Sequence, residues 1–314
     1  LGIGTPVLFR GLEVGTVTGF VFFGFQSAFA IIVVALVSGA VADRMKFAAW
    51  CAFALLWASL VYFPAAHWVF AFDGAVSEKG GFIANTIQAL DFAGGTAIHI
   101  NAGAGALALA LVLGKRIGFG KVPMRPHNLT LVMLGAALLW IGWFGFNAGS
   151  ALGANELAGL TWVNTMVCPA ATMLAWLVTE RIRDGHATSL GAASGIVAGL
   201  VAITPACAVV TPLGAIVIGI LAGVGCSMAL SLKYRWGYDD SLDVVGVHLV
   251  GGLIGTLAIG FLASPDLTGS IDSAGLFYGG GLAQLGRQAA GAGIVLGYSL
   301  VVTWLIAQAI DKTI

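Results

Sequence analysis

The chain has 314 residues, 59% of them hydrophobic and 9% charged, with a mean hydropathy of +0.98. A soluble domain carries about a quarter charged residues, so the composition excludes a soluble fold and fits a polytopic all-α membrane bundle, apolar on every helix. Its 14 basic and 14 acidic residues cancel, which leaves no charge excess to recruit nucleic acid.

Residues Leu1 to Arg10 lack the charged, apolar and cleavage regions of a signal peptide. With no initiator Met, the start reads as a cut. A helix needs about 20 mostly apolar residues to cross the hydrocarbon core, and charge-free intervals of that order run over 14–42, 47–72, 92–114, 128–155, 157–179, 187–232, 244–265 and 288–310. The interval 187–232 is twice too long for one pass. Pro205 and Pro212, with Thr204 and Thr211, mark a turn inside it, which brings the expected spans to nine. The stretch 273–286 is short and glycine-rich, and reads as a loop. Cys51, Cys168, Cys207 and Cys226 all lie in apolar stretches without metal-ligand spacing, as small packing residues do.

The loops check this count. Alternate loops hold Arg44 and Lys46; Lys115, Arg116, Lys121 and Arg125; Arg181 and Arg183; Lys233 and Arg235; and finally Lys312. The other side holds only Arg10, Lys79 and Arg287, against Asp73, Glu78, Glu156, Asp266 and Asp272. The positive-inside rule makes the first set cytoplasmic, so the C-terminus is expected inside and the chain's start outside, in a multi-pass protein of the cell membrane.

Ionisable groups within spans are costly and by default functional. His99 follows Asp91 by eight residues and precedes Gly103 by four; His248 stands in the same relation to Asp240 and Gly252. Eight helical residues rise about 12 Å, which takes each imidazole from a membrane face towards the midplane, one from outside and one from inside. Such a motif, repeated in opposite orientations, is the trace of inverted repeats that share a substrate site. On this reading residues 1–314 are one domain. Residues 128–265 form a five-helix second repeat, 17–114 the last three helices of a first repeat that lacks two, and 288–310 a final helix. Asp240 and Asp243 read first as N-caps of the His248 helix, and Asp91 as a cap in the same sense. His67, His127 and His186 fall at span ends or in loops and read as interfacial or solvated.

Three stretches, Asp91-Phe-Ala-Gly-Gly-Thr-Ala-Ile-His-Ile-Asn, Ile141-Gly-Trp-Phe-Gly-Phe-Asn-Ala-Gly-Ser150 and Asp243-Val-Val-Gly-Val-His248, closely resemble motifs of the ammonium transporters (Amt/Mep/Rh), nearest the Amt branch. The resemblance runs from about residue 17 to the end. It implies the inverted-repeat ammonium transporter fold, here with nine of the usual eleven transmembrane helices, in a homotrimer with one pore per subunit. It also implies a cytoplasmic tail, contacted by a PII-type regulatory protein in the full-length form, that is absent after Ile314. By position, His99 and His248 fall on the paired pore histidines, Phe29 and Phe146 on the phenyl gate, and Phe29, Phe70 and Ser150 on the outer recruitment site, with Asp91 supporting it from behind. Phe25, one turn from Phe29, with Thr204 and Trp140, falls beside the pore. Phe70 stands where the family pattern has tryptophan, while Trp68 points elsewhere on the helix. Tryptophan is the better cation–π face, so weaker recruitment is expected.

The residue types suit the task. An unpaired ammonium ion in a low-dielectric pore costs tens of kcal/mol by Born estimates, and desolvation lowers the pKa of an amine. A dry conduit therefore favours ammonia wherever an imidazole can hold the proton, and potassium has no proton to release. No cofactor motif accompanies the two histidines, and no third ligand or nucleophile supports a membrane enzyme. The alternatives are an ammonium sensor with little flux and an inert truncated fragment.

Overall fold

The computed structural model describes residues 13–14, 17–74 and 78–314. Arg10, assigned above to the outer side, lies outside them. A two-stranded antiparallel ribbon of two residues per strand, β1 (Glu13–Val14) and β2 (Val17–Thr18), precedes an otherwise helical bundle. Nine apolar helices follow among the described residues: α1 (Gly19–Ser38), α2 (Phe47–Phe70), α3 (Gly95–Leu113), α4 (Leu129–Gly149), α5 (Glu156–Asp184), α6 (Ser189–Ile203), α7 (Pro212–Trp236), α8 (Val245–Leu262) and α9 (Ala283–Asp311). Each falls on one of the nine expected spans. All but α6 are long and apolar enough to cross a membrane. The stretch 263–282 holds only short helical turns.

Side-chain caps start four of the helices. Asn128, Asn155, Thr188 and Thr211 each accept the N–H three residues on, satisfying a donor that the helix leaves unpaired. Helix α6 has 15 residues, about 22 Å of rise against a hydrocarbon core of about 30 Å. The remaining depth is filled by the buried turns 204–210. Irregular backbone survives at that depth only if protein groups satisfy it, and here they do. Asn164 Nδ2 donates to the carbonyls of Cys207 and Val210 (both 2.8 Å), and the N–H groups of Phe92 and Ser264 donate to those of Pro205 and Val209.

Glycine spacing sets a close crossing between α6 and α5. Gly191, Gly195 and Gly199 recur every four residues along α6. A Cβ at each would lie 2.2 Å from the Glu180 carboxylate, 2.9 Å from Met173 Cα and 2.5 Å from Pro169 Cα. Where lipid gives helices no hydrophobic reason to associate, such close backbone approach supplies the packing.

The loops at one end are tied by ion pairs. Arg116 Nη1 lies 3.1 Å from Asp239 and 3.6 Å from Asp43, while Arg44 pairs with Asp43 at 2.8 Å and also donates to the Asp239 carbonyl. At the opposite end a cleft of about 570 Å³ is lined by Gln88, Asp91, Asp272 and Arg287 among others.

Candidate functional site

The site is built on the first turns of α3 and α8, and both are π-helical: Gly95–Ile100 holds His99, and Val245–Leu249 holds His248. Such turns widen the helix locally and occur often at functional positions.

Asp91 organises the entry to α3. Its Oδ1 accepts the N–H groups of Gly94 (2.8 Å) and Gly95 (2.7 Å), and its Oδ2 those of Thr96 (2.7 Å) and Ala97 (3.1 Å). One carboxylate thus takes four backbone donors, at the helix end where the dipole favours negative charge. The chain wraps around it because Gly94 adopts φ +117°, a conformation open in practice to glycine.

Asp240 repeats part of this at α8. Its Oδ2 accepts the Val245 N–H at 2.7 Å, five residues on, as Asp91 Oδ2 accepts that of Thr96. Asp243 does not cap the helix. Its carboxylate pairs with Lys233 Nζ at 2.6 Å, and its backbone turns to φ +63°. Burial, with Asp243 nearby, pushes the Asp240 carboxyl up to about 7, against the Val245 N–H and Lys233, which favour its charged form.

Glycines four residues past each histidine let the two helices cross in contact. A Cβ at Gly103 would sit 2.5 Å from Leu249 N, and one at Gly252 would sit 3.1 Å from both the Gly95 carbonyl oxygen and His99 Cβ. Each glycine meets the other helix beside its histidine. As a result the imidazoles meet, with His248 Nδ1 3.2 Å from His99 Nδ1 and relative exposures of 6% and 0%. Neutral imidazole has one donor and one acceptor nitrogen, so a shared Nδ1–Nδ1 hydrogen bond forces opposite tautomers. One Nε2 is then a donor and the other an acceptor. His99 Nε2 is buried without a hydrogen-bond partner among the described residues.

An aromatic column continues from this pair. His99 lies 5.5 Å from Trp143 and 6.2 Å from Phe146, both nearly parallel to it, and Phe146 lies 4.4 Å from Phe29. Phe29 is 3% exposed and has Phe25 at 4.8 Å and Phe70 at 6.4 Å, both edge-on. Phe25 also lies against Gly149, where a Cβ would come within 3.1 Å of its ring. Its neighbour Ser150 ends α4 with its hydroxyl donating to the Phe146 carbonyl at 2.9 Å. Trp68 is turned away, against Phe82 and Tyr298.

The remaining candidates divide. Thr204 reaches the column indirectly, accepting the Trp143 indole N–H at 2.8 Å and donating to the Leu200 carbonyl. Trp140 is directed to α5, its indole N–H donating to the Thr165 carbonyl at 3.1 Å. Trp143, and not the Trp140 expected beside the pore, stacks on the histidine. The signal was present, since Trp143 precedes Phe146 by three residues and shares its helix face. Among the described residues no group of three or more His, Cys, Asp and Glu could hold a metal ion.

The family model for the Ammonium Transporter Family matches residues 3–314. An ammonium transporter of Mycobacterium tuberculosis H37Rv is 63% identical over 304 residues, covering 96% of this chain and 64% of the relative. One from Corynebacterium glutamicum is 45% identical over 290 residues, covering 92% and 63%. The chain thus spans somewhat under two-thirds of these relatives. Among solved structures, Candida albicans Mep2 superposes with a TM-score of 0.88 at 34% identity, over 96% of this chain and 66% of that one. A protein described as Sensor Amt Protein gives 0.85 at 30% identity, over 94% and 72%. With nine apolar helices among the described residues and a family match over nearly its whole length, the chain is a multi-pass membrane protein that belongs to the ammonium transporter family.

Proposed function

We propose that the chain conducts ammonium across the cell membrane, through one pore in each subunit of a homotrimer, by separating the ion into ammonia and a proton. Phe29, Phe70 and the Ser150 hydroxyl receive the ion at the outer mouth, replacing part of its hydration through aromatic faces and a hydrogen-bond acceptor. Asp91 supports that site from behind with its negative charge. Phe29 and Phe146 close the mouth and part for passage. The neutral pair His99–His248 takes up the proton, relays it through the shared Nδ1 hydrogen bond towards the inner side and so returns to neutrality, while ammonia moves on past the pair and regains a proton there. The three helices over 17–114 and the five over 128–265 act as opposed repeats whose shared interface is the pore, with the helix beyond 288 outside them. The end that carries Arg44, Arg116 and Lys233 is cytoplasmic, as is the C-terminus, and a PII-type protein regulates the full-length form from that side.

One observation carries this reading: two buried imidazoles, brought by oppositely directed helices, lie 3.2 Å apart beneath a pair of packed phenyl rings. In proteoliposomes on a solid-supported membrane, an ammonium pulse is expected to give a current and a potassium pulse none. His99→Ala and His248→Ala should each lower the ammonium current at least tenfold. Undiminished current in properly inserted variants would remove the histidines from the mechanism. A wild-type chain that binds ammonium without current would favour the sensor reading, to which the similarity to Sensor Amt Protein is relevant.

A further inference from the structure

Helix α9 presents a buried polar stripe to α2 and to the two helices that carry His99 and His248. Ser299 donates to the Asn101 carbonyl in α3 at 2.8 Å, and Thr303 accepts the indole N–H of Trp57 at 2.8 Å. The densest part is Gln288, which is 0% exposed. Its Oε1 accepts the N–H of Leu90 (2.6 Å) and the amide of Gln284 (2.9 Å), and its Nε2 donates to the carbonyls of Leu90 (2.7 Å) and Thr256 (3.1 Å). A side-chain amide has two donors and two acceptor lone pairs, so the full capacity of this one is used.

The partners are specific. Leu90 immediately precedes Asp91, and its N–H and C=O are both held by the one amide, as a neighbouring strand would hold them. Thr256 lies in α8 eight residues past His248, and its hydroxyl is 3.5 Å from that of Thr96, three residues before His99. Gln288 therefore joins the turn that places Asp91 to the helix that carries His248, at buried positions where an unpaired backbone group is costly.

We propose that Gln288 is a positioning residue for the site: it fixes the Asp91 turn on α8 and so sets the depth of Asp91 and the register of the two histidine helices. Its effect on flux rests on the transport reading above, whereas its effect on the backbone does not. Gln284 is the natural control. It touches Gln288 and accepts from Arg287 at 3.2 Å but reaches neither Leu90 nor Thr256.

The test compares wild type, Gln288→Met, Gln288→Glu and Gln284→Met in lipid nanodiscs and proteoliposomes. Hydrogen exchange at residues 90 and 94–97 is expected to quicken at least tenfold in Gln288→Met and to stay within about twofold of wild type in Gln284→Met. In Gln288→Glu an ionised carboxylate would set an acceptor oxygen against the Leu90 and Thr256 carbonyls that the amide now donates to, so exchange at these amides should quicken there as well. Exchange unchanged in both Gln288 variants would overturn the proposal, as would equal acceleration in Gln284→Met. Maximal ammonium flux should fall at least fivefold in Gln288→Met relative to wild type and be retained in Gln284→Met; flux retained in Gln288→Met despite faster exchange would overturn the functional half. A silent wild type would instead defeat the transport reading, with the exchange result still deciding whether Gln288 holds the turn.

Discussion

Phe70 faces Phe29 edge-on across 6.4 Å, at the end of the aromatic column away from the histidine pair, where, on the function proposed above, an arriving cation would first meet ring faces. Indole offers a stronger face than phenyl, and exposed cation–π contacts contribute about 0.5–1 kcal/mol. Phe70→Trp is accordingly expected to lower the half-saturating ammonium concentration roughly two- to fivefold without changing maximal flux; a titration of transient current against ammonium measures both. At the opposite end Asp240 makes a different prediction. Its folded pKa of about 7 lies above its ordinary value of 3.8, so the folded state binds the proton more tightly than the unfolded one. Its contribution to stability is therefore fully present below about pH 4 and is lost as pH rises through about 7. Asp240→Asn keeps an acceptor for the Val245 N–H and cannot ionise. It should flatten the dependence of thermal unfolding temperature on pH across that window, and an unaltered slope would show that another group sets it.

At the scale of the element, the histidine helices depend on what is missing from them as much as on what they carry. Gly103 and Gly252 stand four residues past the imidazoles, and the nearest atoms to an added Cβ at Gly103 are the Cβ, backbone N and Cα of Leu249, at 2.5, 2.5 and 2.7 Å. Backbone cannot rotate aside as a side chain can. Gly103→Ala is expected to destabilise the bundle by roughly 1–3 kcal/mol, and the crossing can relieve the clash only by separating the two rings. The imidazole nitrogen resonances should report this as loss of the shared hydrogen bond. Ala added at Gly135 or Gly142, where a Cβ meets nothing within 4 Å, should do neither.

At the scale of the whole molecule, the sequence exposes the spans because charge is excluded from each of them, and it exposes the histidine pair because an Asp–His–Gly spacing recurs. The remaining features have physical reasons to stay hidden. Helix α5 runs to Asp184, past the charge-free interval, because Glu180 is buried against the next helix start, accepting the Thr188 N–H at 3.0 Å. Helix α9 begins before Arg287 because that guanidinium reaches outward to the Asp272 carbonyl. Gln288 carries no charge to interrupt an interval, and its partner Leu90 lies 198 residues away, so neither spacing nor composition marks it. What charge does mark is orientation. Arg44, Arg116 and Lys233 gather at one end of the bundle, in ion pairs that join three loops, whereas Asp272 and Arg287 line the cleft at the other. Lys and Arg near span ends resist translocation far more than Asp and Glu do, so the first end should face the cytoplasm and carry Ile314 with it; Lys46 donates to the Ile314 carbonyl at 3.0 Å. A fluorescent protein fused after Ile314, which matures only in the cytoplasm, should light up, and alkaline phosphatase at the same point, which needs an oxidising exterior for its disulfides, should stay inactive. The reverse pair of signals would invert the bundle, and with it the assignment of the Phe29–Phe70–Ser150 mouth to the outer face.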